Sequence, residues 1–472
     1  MANRNETLVK NTLLFAIGNF GSKLLQVILV PFYTRYMAEA EFGTTDLLQA
    51  VVSLLLPVCS MAIYEAVFRF AMEKENDKTS ILSAGFVINL AGMAVLCLCG
   101  GVLSAVMPIE YMWLVILNTV ANSFRTLYSQ YARAINRVQL FTIDNVLMTL
   151  LVLVLNIFFI AVLNLGITGY MMGYILANLL SCLFLMVKLG GDRKIRFSAI
   201  RRTTVKDMLR FSVPLVPNAV CWWLGSFTDR VMIVAMISSA ANGLYAAAHK
   251  IPSLLSTVVS IFFQAWQISA NEEFKKKDIA QFYSSIFEQI SACIFLLASL
   301  LIGFSQLINS VFLGASYASA WQYMPPLILS MTFFSFAQFL GSIYSANKKT
   351  TMAMVTNMTA VVINIILNYI LIQRMGTIGA AVATATAYLV LWLVRVYDTG
   401  KIVPIRYQKG ALIASSVIVT LQAIVVCLDL GPVCTYGITL AGAAVIAVLY
   451  RKTYISLAAF AGSMVKKLLG RS

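Results

Sequence analysis

Charge is scarce in this chain of 472 residues: 11% are charged, 19 acidic against 35 basic, while 60% are hydrophobic. A soluble globular domain carries about 25% charged residues, so that class is excluded. Histidine occurs once, as His249, and the eight cysteines (Cys59, Cys97, Cys99, Cys182, Cys221, Cys293, Cys427 and Cys434) are scattered without a CxxC. Both facts argue against a zinc site, which needs closely set Cys and His ligands, and the cysteines read as small buried hydrophobes. Signatures of catalysis are missing as well, with no G-x-S-x-G, H-E-x-x-H or P-loop in the chain. Long hydrophilic loops are equally lacking. The longest outer loop, about residues 306–321, is too short and too poor in charge for a glycosyl-transfer site.

What fills the chain instead is apolar runs of about 20 residues, each long enough to cross a bilayer. Mean hydropathy is +0.84. Polar or Gly/Pro breaks divide the runs into about fourteen spans, at 11–35, 45–69, 80–107, 112–135, 140–163, 167–188, 211–236, 243–269, 283–306, 321–346, 351–373, 377–398, 410–428 and 433–450. The fold class is therefore an all-α polytopic membrane protein. The first run has no small-residue cleavage site after it, and reads as an uncleaved first span.

Net charge is +16, which in a soluble chain would point to nucleic acid. Here the cations sort by side of the membrane. Of the 35 Lys and Arg residues, 29 fall in the termini and the loops on the N-terminal side, and only Arg35 and Arg374 in the opposite loops. The positive-inside rule thus places both termini in the cytoplasm and leaves nucleic acid unneeded. Segments 191–210 and 451–472 interleave cations with apolar residues, as surface helices do on a leaflet of anionic lipid.

Four cations remain inside spans: Lys23 near the midplane, Arg125 in the inner half, Arg230 and Lys250 in the outer half. A charge at the centre of a membrane helix costs about 2.5–3.5 kcal/mol, so each needs a partner, a wet cavity or a ligand. The stretch SFTDRVMIVAMISSAANGLYAAAHKIPSLL, residues 226–255, concentrates them. Asn118, Asn122, Arg125, Ser129 and Arg133 recur at spacings of three and four, which makes one face of the fourth span polar throughout. Asn145 on the fifth span and Asn364 on the eleventh offer further hydrogen bonds to a cavity or between helices. Glu65 and Arg69, four residues apart, suit a local ion pair. Asp144 and Asp229 are the candidates for proton or sodium coupling, and no other cofactor is expected.

The halves repeat weakly but in order. FGTTDLLQAVVSLLL from Phe42 answers GLYAAAHKIPSLLS from Gly243, Gly166 and Gly169 answer Gly376 and Gly379, and Asn145 and Asn156 keep the separation of Asn357 and Asn368. An offset of about 200–212 residues marks two parallel six-span bundles around a central cavity. The expected organisation is a first lobe at 1–190, an amphipathic linker at 191–210, a second lobe at 211–400, two extra helices at 401–450 and a basic tail at 451–472.

With EFGTTDLL, TDRVMI, GLYAAAHKIP and GTIGAAVATATAY in view, the chain resembles the polysaccharide-transport branch of the MOP exporter superfamily, the Wzx-like oligosaccharide-lipid flippases. The same superfamily holds the MurJ-type lipid II flippases and the MATE drug exporters. The resemblance implies two six-helix lobes and the movement of an undecaprenyl-pyrophosphate-linked oligosaccharide from the inner to the outer leaflet. Polysaccharide assembly proteins would then be its partners, besides the lipid-linked substrate and anionic inner-leaflet lipids. On this reading Lys23, Arg125, Arg230 and Lys250 contact the diphosphate, and Asn118, Asn122, Ser129, Asn145 and Asn364 line the path of the glycan. A MATE-like exporter of cationic drugs fits less well, because the intramembrane cations outnumber the acids. A membrane polymerase or ligase needs the large outer loop that is missing.

Overall fold

Hydrocarbon offers the backbone no hydrogen bonds, so spanning segments must close their own as helices or barrels. The computed structural model describes residues 28–73, 77–106, 110–190, 195–273, 278–347 and 350–468, which are helical with no strand among them. In chain order the first unit holds α1 (described over 28–36), α2 (Glu39–Cys59), α3 (Ile63–Ala71), α4 (Lys78–Val106), α5 (Met112–Ala134), α6 (Val138–Asn156), α7 (Gly166–Leu189), α8 (Arg202–Ser212) and most of α9 (Leu215–Met236). The second holds most of α10 (Ser239–Glu273), then α11 (Ile279–Gly303), α12 (Ser305–Phe312), α13 (Met324–Ala346), α14 (Thr350–Met375), α15 (Thr377–Gly400), α16 (Lys409–Cys427), α17 (Pro432–Leu449) and α18 (Arg451–Leu468). By packing, the first unit runs to Val231 and takes in the hairpin tip Ser239–Gly243.

Among the described residues, eleven helices are long and apolar enough to cross a membrane. They account for all but three of the fourteen expected spans, and the exceptions have separate causes. Most of the first span, Lys23 included, lies outside the described residues. α5 is long enough, but its polar face lowers its hydropathy. α10 has 35 residues, yet it carries His249 and Lys250.

Two breaks in the helices have local causes. Pro57 lies inside α2, and just beyond it Met61 and Ala62 take positive φ angles of 52° and 49°, so the expected span 45–69 becomes α2 and α3. After α6 the chain widens into a π-helix over Ile157–Val162, then turns through Asn164 and Gly166, both at positive φ. A Gly at that place repeats as Gly376, φ 62°, immediately before α15. Its partner Gly379 is held by close approach, since a Cβ there would lie 2.2 Å from the carbonyl oxygen of Leu371.

Each unit is built round one helix. α5 packs on α2, α3, α4, α6 and α7, and α13 packs on α11, α14, α15 and α16. These two hubs are related by the sequence repeat but differ in chemistry. α5 carries the polar face, whereas α13 fills its unit with Leu327, Ile328, Phe336, Phe339 and Leu340, all fully buried.

Candidate functional site

The polar face of α5 divides into cross-links and one held cation. Asn118, 1% exposed, accepts a hydrogen bond from Asn178 Nδ2 of α7 at 3.0 Å. Ser123 accepts from Asn89 Nδ2 of α4 at 3.1 Å, and Asn122, half-buried, accepts from Thr126 Oγ1 on its own helix at 3.3 Å. One turn further on, Arg125 Nη2 donates to Asp144 Oδ2 at 2.8 Å and to Asn145 Oδ1 at 3.1 Å, while its Nε donates to Ser181 Oγ at 2.9 Å. Ser181 and Ser129 both donate to the Asp144 carboxylate. The carboxylate is fully buried and the arginine side chain 13% exposed. Three helices thus fix one guanidinium within the membrane-spanning part of the unit, its charge offset by one acid.

A counterpart sits in the second unit, and its cation was misplaced by the sequence reading. Arg395, near the end of the expected span 377–398, is one of the 29 cations assigned above to the inner-side loops, but α15 continues to Gly400 and buries it to 4% exposure. Its Nη2 donates to Asn357 Oδ1 at 2.9 Å and to Thr356 Oγ1 at 3.1 Å, its Nη1 to the carbonyl of Ala337 at 2.7 Å. Thr356 and Asn357 stand 212 residues after Asp144 and Asn145, and Ala337 stands 212 after Arg125. The repeat therefore keeps a guanidinium at the same three-helix junction and supplies it from a different helix. Neutral acceptors hold it, and Tyr344, whose ring lies 5.9 Å from the guanidinium carbon, donates to Asp398 Oδ2 at 2.7 Å. Asn364, 8% exposed, donates to Thr384 Oγ1 at 3.0 Å and accepts from Asn368 Nδ2 at 3.0 Å, so it ties α14 to α15.

The hairpin between α9 and α10 binds one stripe of α2. A Cβ on Gly43 would lie 1.8 Å from Ser239 O and 2.6 Å from Gly243 N, and one on Gly243 would lie 1.9 Å from Glu39 O. The two repeat-related glycines are thus required by backbone contact. Asn242 Nδ2 donates to Gly43 O at 2.8 Å, and Trp223 Nε1 donates to Ala50 O at 2.7 Å. Between them Arg230 Nε lies 3.3 Å from Asp46 Oδ2. Gly43, Asp46 and Ala50 follow a helical spacing of three and four, which presents all three to the hairpin.

Arg230 is accordingly an ion-paired cation, not an isolated one, and Asp46 is the ion-pair partner that sequence reasoning missed. An acid one residue inside an expected span was itself the signal. Lys250, His249 and Asp229 are half-buried, and each engages a neighbouring residue. Arg69 pairs with Glu73 at 3.5 Å rather than with Glu65. Among the described residues no three His, Cys, Asp or Glu side chains come together as a metal site.

Comparison with known proteins bears on this arrangement. A family model described as "Polysaccharide biosynthesis protein" matches residues 8–267, more than half of the chain. The chain is 24% identical over 253 residues to an uncharacterized membrane protein of Methanocaldococcus jannaschii, covering 51% of this chain and 60% of that one. It is 24% identical over 265 residues to a protein of the Lsg locus of Haemophilus influenzae, covering 54% and 63%. These matches span less than two thirds of either relative. Among solved structures, lipid II flippase MurJ in an inward closed conformation superposes with a TM-score of 0.70 at 15% identity, over 93% of this chain and 99% of that one. An inward-facing multidrug resistance MATE family transporter of the MOP superfamily gives 0.65 at 14% identity, over 82% and 98%. The shared property is the fold.

Proposed function

Since this multi-pass membrane protein belongs to the polysaccharide biosynthesis protein family, we propose that it is a flippase that moves an undecaprenyl-pyrophosphate-linked oligosaccharide from the inner to the outer leaflet of the bacterial cell membrane. Alternating access carries the headgroup across while the prenyl tail stays in lipid. The observation that carries this reading is the junction round Arg125, a guanidinium fixed by three helices at membrane depth and still partly exposed. A planar, preset guanidinium suits phosphate oxygens, which it binds two at a time. Asn122 and Asn145 beside it supply the hydrogen bonds a glycan needs. In this scheme Asp144 holds Arg125 in place, with three donors on its carboxylate, and Asp229 is left as the candidate for proton or sodium coupling.

Deleting the gene tests the direction of transport. Lipid-linked oligosaccharide is expected to accumulate on the cytoplasmic face, protected in intact spheroplasts from a membrane-impermeant lectin and exposed once the cells are opened. Unpolymerised glycan reaching the outside of the deletion strain would instead indicate a polymerase or ligase.

A further inference from the structure

The linker at 195–212 spends its apolar side on protein. Met208 is fully buried in the core of the first unit, and Ile195, Ile200, Val205 and Leu209 pack around the same cluster. The Arg196 backbone N–H donates to Ser83 Oγ of α4 at 2.9 Å and anchors the start of the segment. The amphipathic segment therefore does not sink that face into lipid, as its sequence alone would imply. Its other side carries Arg202, Lys206 and Arg210, one turn apart along α8, whereas Arg201, just before the helix, lines a recess with Asp77 and Asp207. The three cations on α8 are all exposed, and none pairs with a carboxylate among the described residues. Phe197 is 68% exposed, whereas Phe211 packs edge-on against Phe70.

We infer that this row is a docking surface for the anionic phospholipids of the inner leaflet. The positive-inside rule accounts for cations somewhere in this loop, but not for a row on the one side of α8 that faces away from the unit. Arg210 lies five residues before the start of α9, so the row sits where the chain enters the membrane. An exposed phenylalanine near such a stripe suits the boundary between headgroups and acyl chains. The rigid attachment through Met208 turns lipid held by the row into a hold on the first unit itself. The inner-side placement rests on the orientation expected from the loop charges, whereas substrate transport is not required.

The test uses the full chain in nanodiscs of phosphatidylcholine with a minority of spin-labelled phosphatidylglycerol, and reads the fraction immobilised at the protein. Each cation near an anionic surface strengthens binding about fivefold, so R202Q/K206Q/R210Q is expected to lower the preference for phosphatidylglycerol at least tenfold. The wild-type preference is expected to weaken with added salt, and R202K/R210K to keep it. An unchanged preference in the glutamine variant would overturn the inference. So would equal loss in the lysine variant, or a wild-type row that selects a prenyl diphosphate over phosphatidylglycerol at matched charge, because the surface would then be a station for substrate. Transport is not read out, so failure of the flippase reading would leave this result untouched.

Discussion

Arg125→Met alone is expected to cost about 3–5 kcal/mol and to deplete folded protein in the membrane, because it strands the Asp144 charge in a fully buried site. Arg125→Met combined with Asp144→Leu removes both charges and is expected to recover most of that stability, since a buried pair replaced by apolar groups of similar volume is often neutral. The thermal midpoint in detergent checks the first statement, and growth of a strain lacking the native gene checks the second half of the argument. The double variant should fold and fail to support glycan export. If it exports at the wild-type rate, the pair is a strut between α5 and α6 and the guanidinium does not meet the substrate.

Arg395→Leu is the second large effect, and its physics differs. Among the described residues no carboxylate contacts this guanidinium directly, so the substitution strands none of them and removes hydrogen bonds to Ala337 O, Ala353 O, Thr356 Oγ1 and Asn357 Oδ1. Interhelical bonds in membranes average about 0.6 kcal/mol with a maximum near 1.7, which puts the loss at about 2–4 kcal/mol for the set. Asn357→Ala removes one acceptor and should cost about one such bond. A thermal midpoint for Arg395→Leu within error of the wild type would mean that the junction of α13, α14 and α15 is held by packing alone.

The spans were legible because twenty apolar residues leave few alternatives to a crossing helix, and the polar face of α5 because its spacing of three and four survives in the structure. Gly166 and Gly376 were legible as paired positions of the repeat, but their positive φ was not. Partners were not. Periodicity says which face a residue occupies, but Arg125 meets Asp144 across two helices, and Arg230 meets Asp46 across most of the unit's sequence. Arg395 was misread for a different reason. VRVYDTG looks like the polar exit of a span, and only the buried acceptors on α13 and α14 make room for a charge one turn deeper. Of the linker's hydrophobic residues only Val205 and Leu209 fall on a face of α8, since Ile195, Phe197 and Ile200 precede that helix, and the sequence does not say whether lipid or protein covers such a face.

The two hub helices give the account its shape. α13 is packed with apolar and aromatic side chains, while α5 carries polar groups through its unit and holds a guanidinium beside Asn145. An anionic, sugar-bearing headgroup has a reason to meet α5 and none to meet α13. The most direct test reconstitutes the purified protein in liposomes with a fluorescent undecaprenyl-diphosphate oligosaccharide and follows its loss to a membrane-impermeant quencher. The wild type should carry the lipid between leaflets, and the stable variant R125M/D144L should leave it where it began. Liposomes in which wild-type protein moves no more lipid than protein-free membranes would contradict the account.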